Sequence, residues 1–244
     1  MLLKACLNGA REPGAHPRLP VTPAQLAADA DACAEFGAGA VHVHPRSGDG
    51  RESLAGEDVA AAVAAVRRQC PDLPIGVTTG EWILPDPARR LAAVASWASL
   101  DHKPDFASVN VSEAGWEQVA TALLDAGIDV EAGIWNPDDP ARLAASGLAP
   151  RLIRLLVEPR STDPDAAMRT ADTLLAALEP IGGSMPRLVH GREAAAWPVL
   201  EWALDRDLDS RIGLEDTLEL PDGNPTPDNA ALVAAARAFL VEPH

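Results

Sequence analysis

The chain has 244 residues, about the length of one (β/α)8 barrel and long for most other single domains. Hydrophobic residues make up 47% and aromatics 4%, with no tyrosine, an alanine-weighted composition that favours helices packed closely on a flat or curved surface. A net charge of −16, from 36 acidic against 20 basic residues, repels nucleic acid and anionic lipid and argues against both as partners.

No apolar run reaches the roughly 18 residues that a membrane span needs, and the start of the chain lacks a signal-peptide pattern, so the expectation is a soluble, cytoplasmic protein. Cys6, Cys33 and Cys70 are far apart and sit in apolar surroundings, which reads as reduced core thiols.

In chain order, a strand at Leu2–Leu7 precedes a helix at Pro23–Phe36, and Ala40–His44 precedes Glu57–Gln69. Strands at Pro74–Thr78 and Phe106–Asn110 lead into helices at Pro87–Ser99 and Ala114–Ala126. Asp129–Gly133 leads into Pro140–Ala145, and Arg151–Val157 into Asp165–Leu178. Arg187–His190 with Glu193–Arg206, then Ser210–Leu214 with Pro227–Phe239, complete the series. Thr22-Pro23 and Thr226-Pro227 each read as a hydroxyl cap followed by a first-turn proline, while Gly37 and Gly127 read as helix stops. Strand then helix, eight times at about thirty residues, predicts parallel βαβ units and one (β/α)8 barrel domain over 1–244. A doubly wound open sheet is the structural alternative, and Asn8-Gly9-Ala10-Arg11 lacks the glycine-rich phosphate turn that it would carry.

Reactive groups of such a barrel stand at the C-terminal strand ends. Strand two ends in Val41-His42-Val43-His44-Pro45-Arg46, and alternation puts both histidines on one face, about 7 Å apart along the strand. Two imidazoles there can chelate one divalent ion; zinc suits them, given one more protein ligand and an open position. Strand eight ends in Arg211-Ile212-Gly213-Leu214-Glu215-Asp216 and lies near strand two around a closed barrel. Glu215 is the candidate third ligand, and Asp216 is then a base beside a cation. A solvated acidic turn is the competing reading of that pair. Arg211 and Arg46 could clamp an anionic substrate, although each could equally pair with a nearby acid. Thr78-Thr79-Gly80-Glu81 offers hydroxyls and an exposed backbone NH as a small anion cradle. Asn110, Glu131 and His190 end strands four, five and seven, with His190 read as a structural histidine. His16 and His102 sit in loops and are given no role.

Four segments together resemble the β-keto acid cleavage enzyme family: Asn8–Arg11 with Pro20–Pro23, Gly37–Arg46, the Thr78-Thr79-Gly80 turn, and Arg211–Asp216. The resemblance implies a zinc ion, or another divalent metal, on His42, His44 and Glu215. It implies Asp216 as base assisted by Arg211, with Thr79 and Gly80 gripping the substrate carboxylate. Asn110 and Glu131 would be further pocket residues. The implied reaction is acyl exchange between a β-keto acid and acetyl-CoA, giving acetoacetate and a new CoA thioester, in a protein that assembles as a homo-oligomer.

The chain also departs from that family. It is shorter than typical members, and Val111-Ser112-Glu113-Ala114 and Val157-Glu158-Pro159-Arg160 replace the glycine-rich loops after strands four and six. The lead-in to strand eight is Asp207-Leu208-Asp209-Ser210 in place of glycine-glycine-histidine. Two other functions remain open: a metal-assisted lyase or hydrolase that uses no CoA, and a metal-binding barrel without catalysis. Barrel hydrolases generally carry their HxH on the first strand, whereas here it lies on the second.

Overall fold

A computed structural model describes residues 1–241, so the last three residues of the expected domain lie outside the described residues. Eight parallel strands are ordered β7-β6-β5-β4-β3-β2-β1-β8. They are β1 (Leu3–Cys6), β2 (Ala40–Val43), β3 (Ile75–Thr78), β4 (Phe106–Asn110), β5 (Asp129–Ile134), β6 (Arg154–Val157), β7 (Arg187–Val189) and β8 (Ser210–Ile212). The two outer strands meet through a parallel bridge from Leu188 to Asp209, where Val189 N donates to Asp209 O at 2.9 Å. The fold is a (β/α)8 barrel.

The helices are α1 (Pro23–Glu35), α2 (Gly56–Gln69), α3 (Pro87–Ala95), α4 (Trp116–Asp125), α5 (Asp139–Ser146), α6 (Pro164–Gly182), α7 (Ala196–Leu204) and α8 (Asn229–Val241). Thr22 caps α1 in a capping box with Gln25, and Pro23 opens the helix. Gly37 and Gly127 take φ values of 90° and 74° after α1 and α4, the left-handed geometry of helix stops. The last helix starts later than Thr226-Pro227 suggests. Asp228 Oδ1 accepts from Ala231 N at 2.9 Å, so Asp228 caps it, while the Thr226 hydroxyl donates to Asp228 O. The sixth strand also starts late, because Ala149–Arg151 forms a 3-10 turn.

Aliphatic side chains such as Val41, Val43, Val77, Val109 and Ile212 are fully buried in the layer between strands and helices. The barrel interior is different. Lys4 on β1 reaches across to Glu131 on β5 at 2.5 Å, with neither side chain exposed. Arg154 on β6 donates to the other oxygen of Glu131. This pairing fills the barrel below the mouth with mutually compensating charge, where most such barrels stack branched apolar residues.

Candidate active site

A cavity of about 750 Å³ opens at the C-terminal ends of the strands. His42 and His44 enter it from β2, with ring centroids 5.1 Å apart at 79°. Asn8 fixes the end of that strand: its Oδ1 accepts from His44 N at 2.9 Å and its Nδ2 donates to His44 O at 2.9 Å. Glu215 arrives from β8, and ligand atoms of His42, His44 and Glu215 all lie within 4.8 Å of one another. Glu215 packs against Gly9, where a Cβ would meet its Cγ at 2.4 Å.

Glu215 and Asp216 both reach the cavity because β8 stops at Ile212 and the chain coils. Asp216 N and Thr217 N both donate to Gly213 O, at 2.8 Å and 3.1 Å. A strand continued to Leu214 would have sent the two carboxylates to opposite faces.

Two of the three convergent residues carry an unsatisfied buried atom, His42 Nδ1 and Glu215 Oε2. Buried polar atoms rarely stay unpaired. Two imidazoles and a carboxylate with free lone pairs fit a divalent cation of the zinc type, with room for a substrate atom in a fourth position.

Arg211 donates to Glu215 Oε1 at 2.8 Å and to Asp216 Oδ1 at 2.7 Å. Burial works against charge on all three groups. The attraction of Arg211 outweighs it, holding both carboxyls below the usual carboxylate range. Burial likewise opposes the Arg211 cation, yet Asp216 and Glu215 keep its pKa well above normal. His190 approaches the same Asp216 oxygen, with Nδ1 3.5 Å from Oδ1, and its Nε2 lies 3.6 Å from Glu158 Oε2. Burial pushes the Glu158 carboxyl up, but contact with His190, with Arg211 and Arg160 adding, brings it down to about 2.

Asn110 lines the cavity, with Nδ2 donating to Glu113 Oε1 at 2.7 Å; Glu113 in turn pairs with the buried Arg90 at 3.1 Å. Four other expected pocket residues are turned away. Glu131 lies mid-strand and is committed to Lys4 and Arg154, so Trp135, just beyond β5, lines the cavity from that strand. The Arg46 guanidinium donates to Gly50 O, Gly9 O and Arg11 O, tying two loops together. Thr79 Oγ1 donates to Ser108 O, Gly80 N donates to Thr78 Oγ1, and the Trp82 ring covers Gly80, so Thr78 and Glu81 are the residues of that turn that line the cavity.

Sequence reasoning passed over Glu52, Trp82, Ser108, Trp135 and Arg192. Ser108 and Trp135 could have been found by strand alternation and by one more residue of β5. Glu52 carried no signal, since it lies in a loop nine residues beyond Val43.

A parallel barrel with a His-His-carboxylate cluster at its mouth and a second carboxylate beside it carries the residue types of a metal-assisted barrel enzyme. The family model described as beta-keto acid cleavage enzyme matches residues 1–242, and the chain belongs to that family. It is 31% identical over 81 residues to the 3-keto-5-aminohexanoate cleavage enzyme of Fusobacterium nucleatum, a match covering 33% of this chain and 30% of that enzyme. Among solved structures, ObcA in a ternary complex with a C4-CoA adduct and oxalate aligns with a TM-score of 0.71 and 18% identity, over 92% of this chain and 64% of ObcA. The 3-dehydroquinate dehydratase of Geobacillus kaustophilus aligns with a TM-score of 0.65 and 10% identity, over 98% of this chain and 90% of that one. The chain thus spans less than two thirds of the ObcA chain and matches less than one third of the Fusobacterium enzyme.

Proposed function

We propose that the chain is a zinc-dependent β-keto acid cleavage enzyme that exchanges acyl groups with acetyl-CoA, giving acetoacetate and a new acyl-CoA. The carrying observation is the convergence of His42, His44 and Glu215 at the barrel mouth, beside a carboxylate with one oxygen to spare.

A zinc ion on those three residues would supply Lewis-acid polarisation of the keto oxygen. The remaining work falls to the protein's own groups. Asp216 Oδ1 is held by Arg211, while Oδ2 is buried and unpartnered, so Oδ2 is the atom free to take a proton from the substrate. Arg211 stays cationic and steadies negative charge that develops next to it. Thr78 and Asn110 line the opposite side and can donate to the substrate carboxylate, the office first expected of Thr79 and Gly80.

Membership of the family supports β-keto acid cleavage, and the CoA adduct named in the ObcA complex supports a CoA thioester as the second substrate. Cleavage of a small carboxylate without CoA is the second reading. Its support is local: β6 is followed by Glu158 and Arg160, which line the cavity where the family's glycine-rich loop would leave open space.

Purified protein incubated with a panel of β-keto acids, with and without acetyl-CoA, tests the proposal. Acetoacetate and a new thioester appearing together, and only with acetyl-CoA, is the expected result. Keto acid consumed without acetyl-CoA selects the second reading, and no consumption of any member rejects both.

A further inference from the structure

The His44 ring has two nitrogens, and one of them is already committed. Nδ1 lies 2.5 Å from Glu52 Oε1. Nε2 is therefore the nitrogen left for an ion, and it lies 3.8 Å from Glu215 Oε2. His42 has no comparable support, since its Nδ1 is buried without a partner.

Glu52 does not come from a strand end. It stands in the loop between β2 and α2, where it forms a bridge with Arg46, and Arg46 anchors that loop to Gly9 O and Arg11 O beyond β1. The same carboxylate accepts from Trp82 Nε1 at 3.2 Å and 3.1 Å. The Trp82 indole in turn lies 6.1 Å from the His44 ring at an interplanar angle of 24°. One carboxylate thus holds a ligand histidine on one side and a cavity-lining tryptophan on the other.

We propose that Glu52 is the positioning residue of the metal centre: accepting the Nδ1 proton of His44, it fixes the tautomer and ring angle that aim Nε2 at the ion. Through Trp82 it also ties that histidine to the β3 side of the cavity. The inference rests on the metal reading above. A ligating imidazole whose other N–H is held by a carboxylate is oriented and made more basic, and losing such a partner costs about 10–100-fold in metal affinity.

Competition for zinc against a chromophoric chelator tests this on the whole protein, comparing wild type with Glu52→Ala, Glu52→Gln and Trp82→Phe. Glu52→Ala is expected to weaken zinc binding by about 10–100-fold. Glu52→Gln keeps an oxygen that can accept the same N–H and is expected to recover most of that loss. Trp82→Phe gives up only the indole bond and is expected to stay within about threefold of wild type. Thermal unfolding of the metal-free proteins separates a ligand effect from a folding one, and Glu52→Leu, which keeps the bulk but accepts no hydrogen bond, carries the test with the same expected loss if the alanine variant does not fold.

Zinc affinity unchanged in Glu52→Ala overturns the inference while leaving the metal reading intact. Equal losses in Trp82→Phe and Glu52→Ala also overturn it, because the effect would then be loop packing. A wild-type protein that takes up no zinc removes the metal reading and this inference together.

Discussion

Arg211 donates to Asp216 Oδ1 at 2.7 Å, leaving Oδ2 of that buried carboxylate without a partner. The pair is one half of a chain of contacts in which His190 bridges Asp216 and Glu158, and Trp135 Nε1 donates to Glu158 Oε2 at 3.0 Å. Fixing one oxygen and sparing the other is what a positioned base requires. Asp216→Asn is therefore expected to retain bound metal and lose turnover by about 10²–10⁴-fold. Elemental analysis alongside kcat measures both, and turnover near wild type would remove the role given to Asp216.

His42→Ala and His44→Ala each leave at most two of the three candidate ligands in place. Metal content should fall from one ion per chain to near zero, while far-UV circular dichroism stays at the wild-type signal. Both side chains lie inside the barrel mouth, so their loss does not touch the strand–helix layer that carries the fold. Full metal occupancy in either variant would mean that the ion binds elsewhere.

The barrel interior gives a prediction about stability. Lys4→Met leaves Glu131 buried with Arg154 as its remaining cation. Breaking a buried pair by removing one partner costs about 3–5 kcal/mol. Urea unfolding measures it; a loss under 1 kcal/mol would show that Arg154 alone compensates Glu131.

Asp29 on α1 supplies a pH dependence away from the site. Burial raises its carboxyl from 3.8 to about 6, and the hydrogen bond from Asn229 Nδ2 offsets only part of that. A carboxyl whose folded pKa exceeds its unfolded one favours the folded state at low pH, and this contribution is lost as pH rises through the folded pKa. The loss falls between about pH 4 and pH 6, and a difference of this size amounts to roughly 1–3 kcal/mol. Denaturant midpoints of wild type and Asp29→Asn across that range should converge at low pH and separate above pH 6, with the variant flatter; parallel curves would contradict it.

Gly213 lies where β8 turns toward Glu215. A Cβ there would meet Cys6 O at 1.9 Å and Cys6 C at 2.6 Å, both backbone atoms of β1. Gly213→Ala must push the two strands apart, at a cost of roughly 1–3 kcal/mol. Metal affinity should fall with it, because Glu215 N donates to that same Cys6 O at 3.2 Å. Unchanged stability and metal binding would show that the seam yields easily.

Local sequence was enough for the architecture. Apolar strand bodies, alanine-rich helices and caps such as Thr22 with Gln25 are short-range signals, and their alternation leaves a parallel barrel as the economical arrangement. It was enough for the metal candidates too: the two-residue period of a strand puts His42 and His44 on one face whatever the rest of the chain does. Side-chain commitment was not legible in the same way. Glu131, Arg46 and Thr79 have the chemistry of pocket residues, but Lys4, the loop carbonyls and Ser108 O claim them first. Those partners lie 127, 37 and 29 residues away in the chain. Only closure of the barrel decides which polar group meets which. The same closure brings Glu215 to His44 and Trp135 to Glu158, because a contact between distant residues depends on strand register and on where each strand ends, neither of which a local pattern encodes.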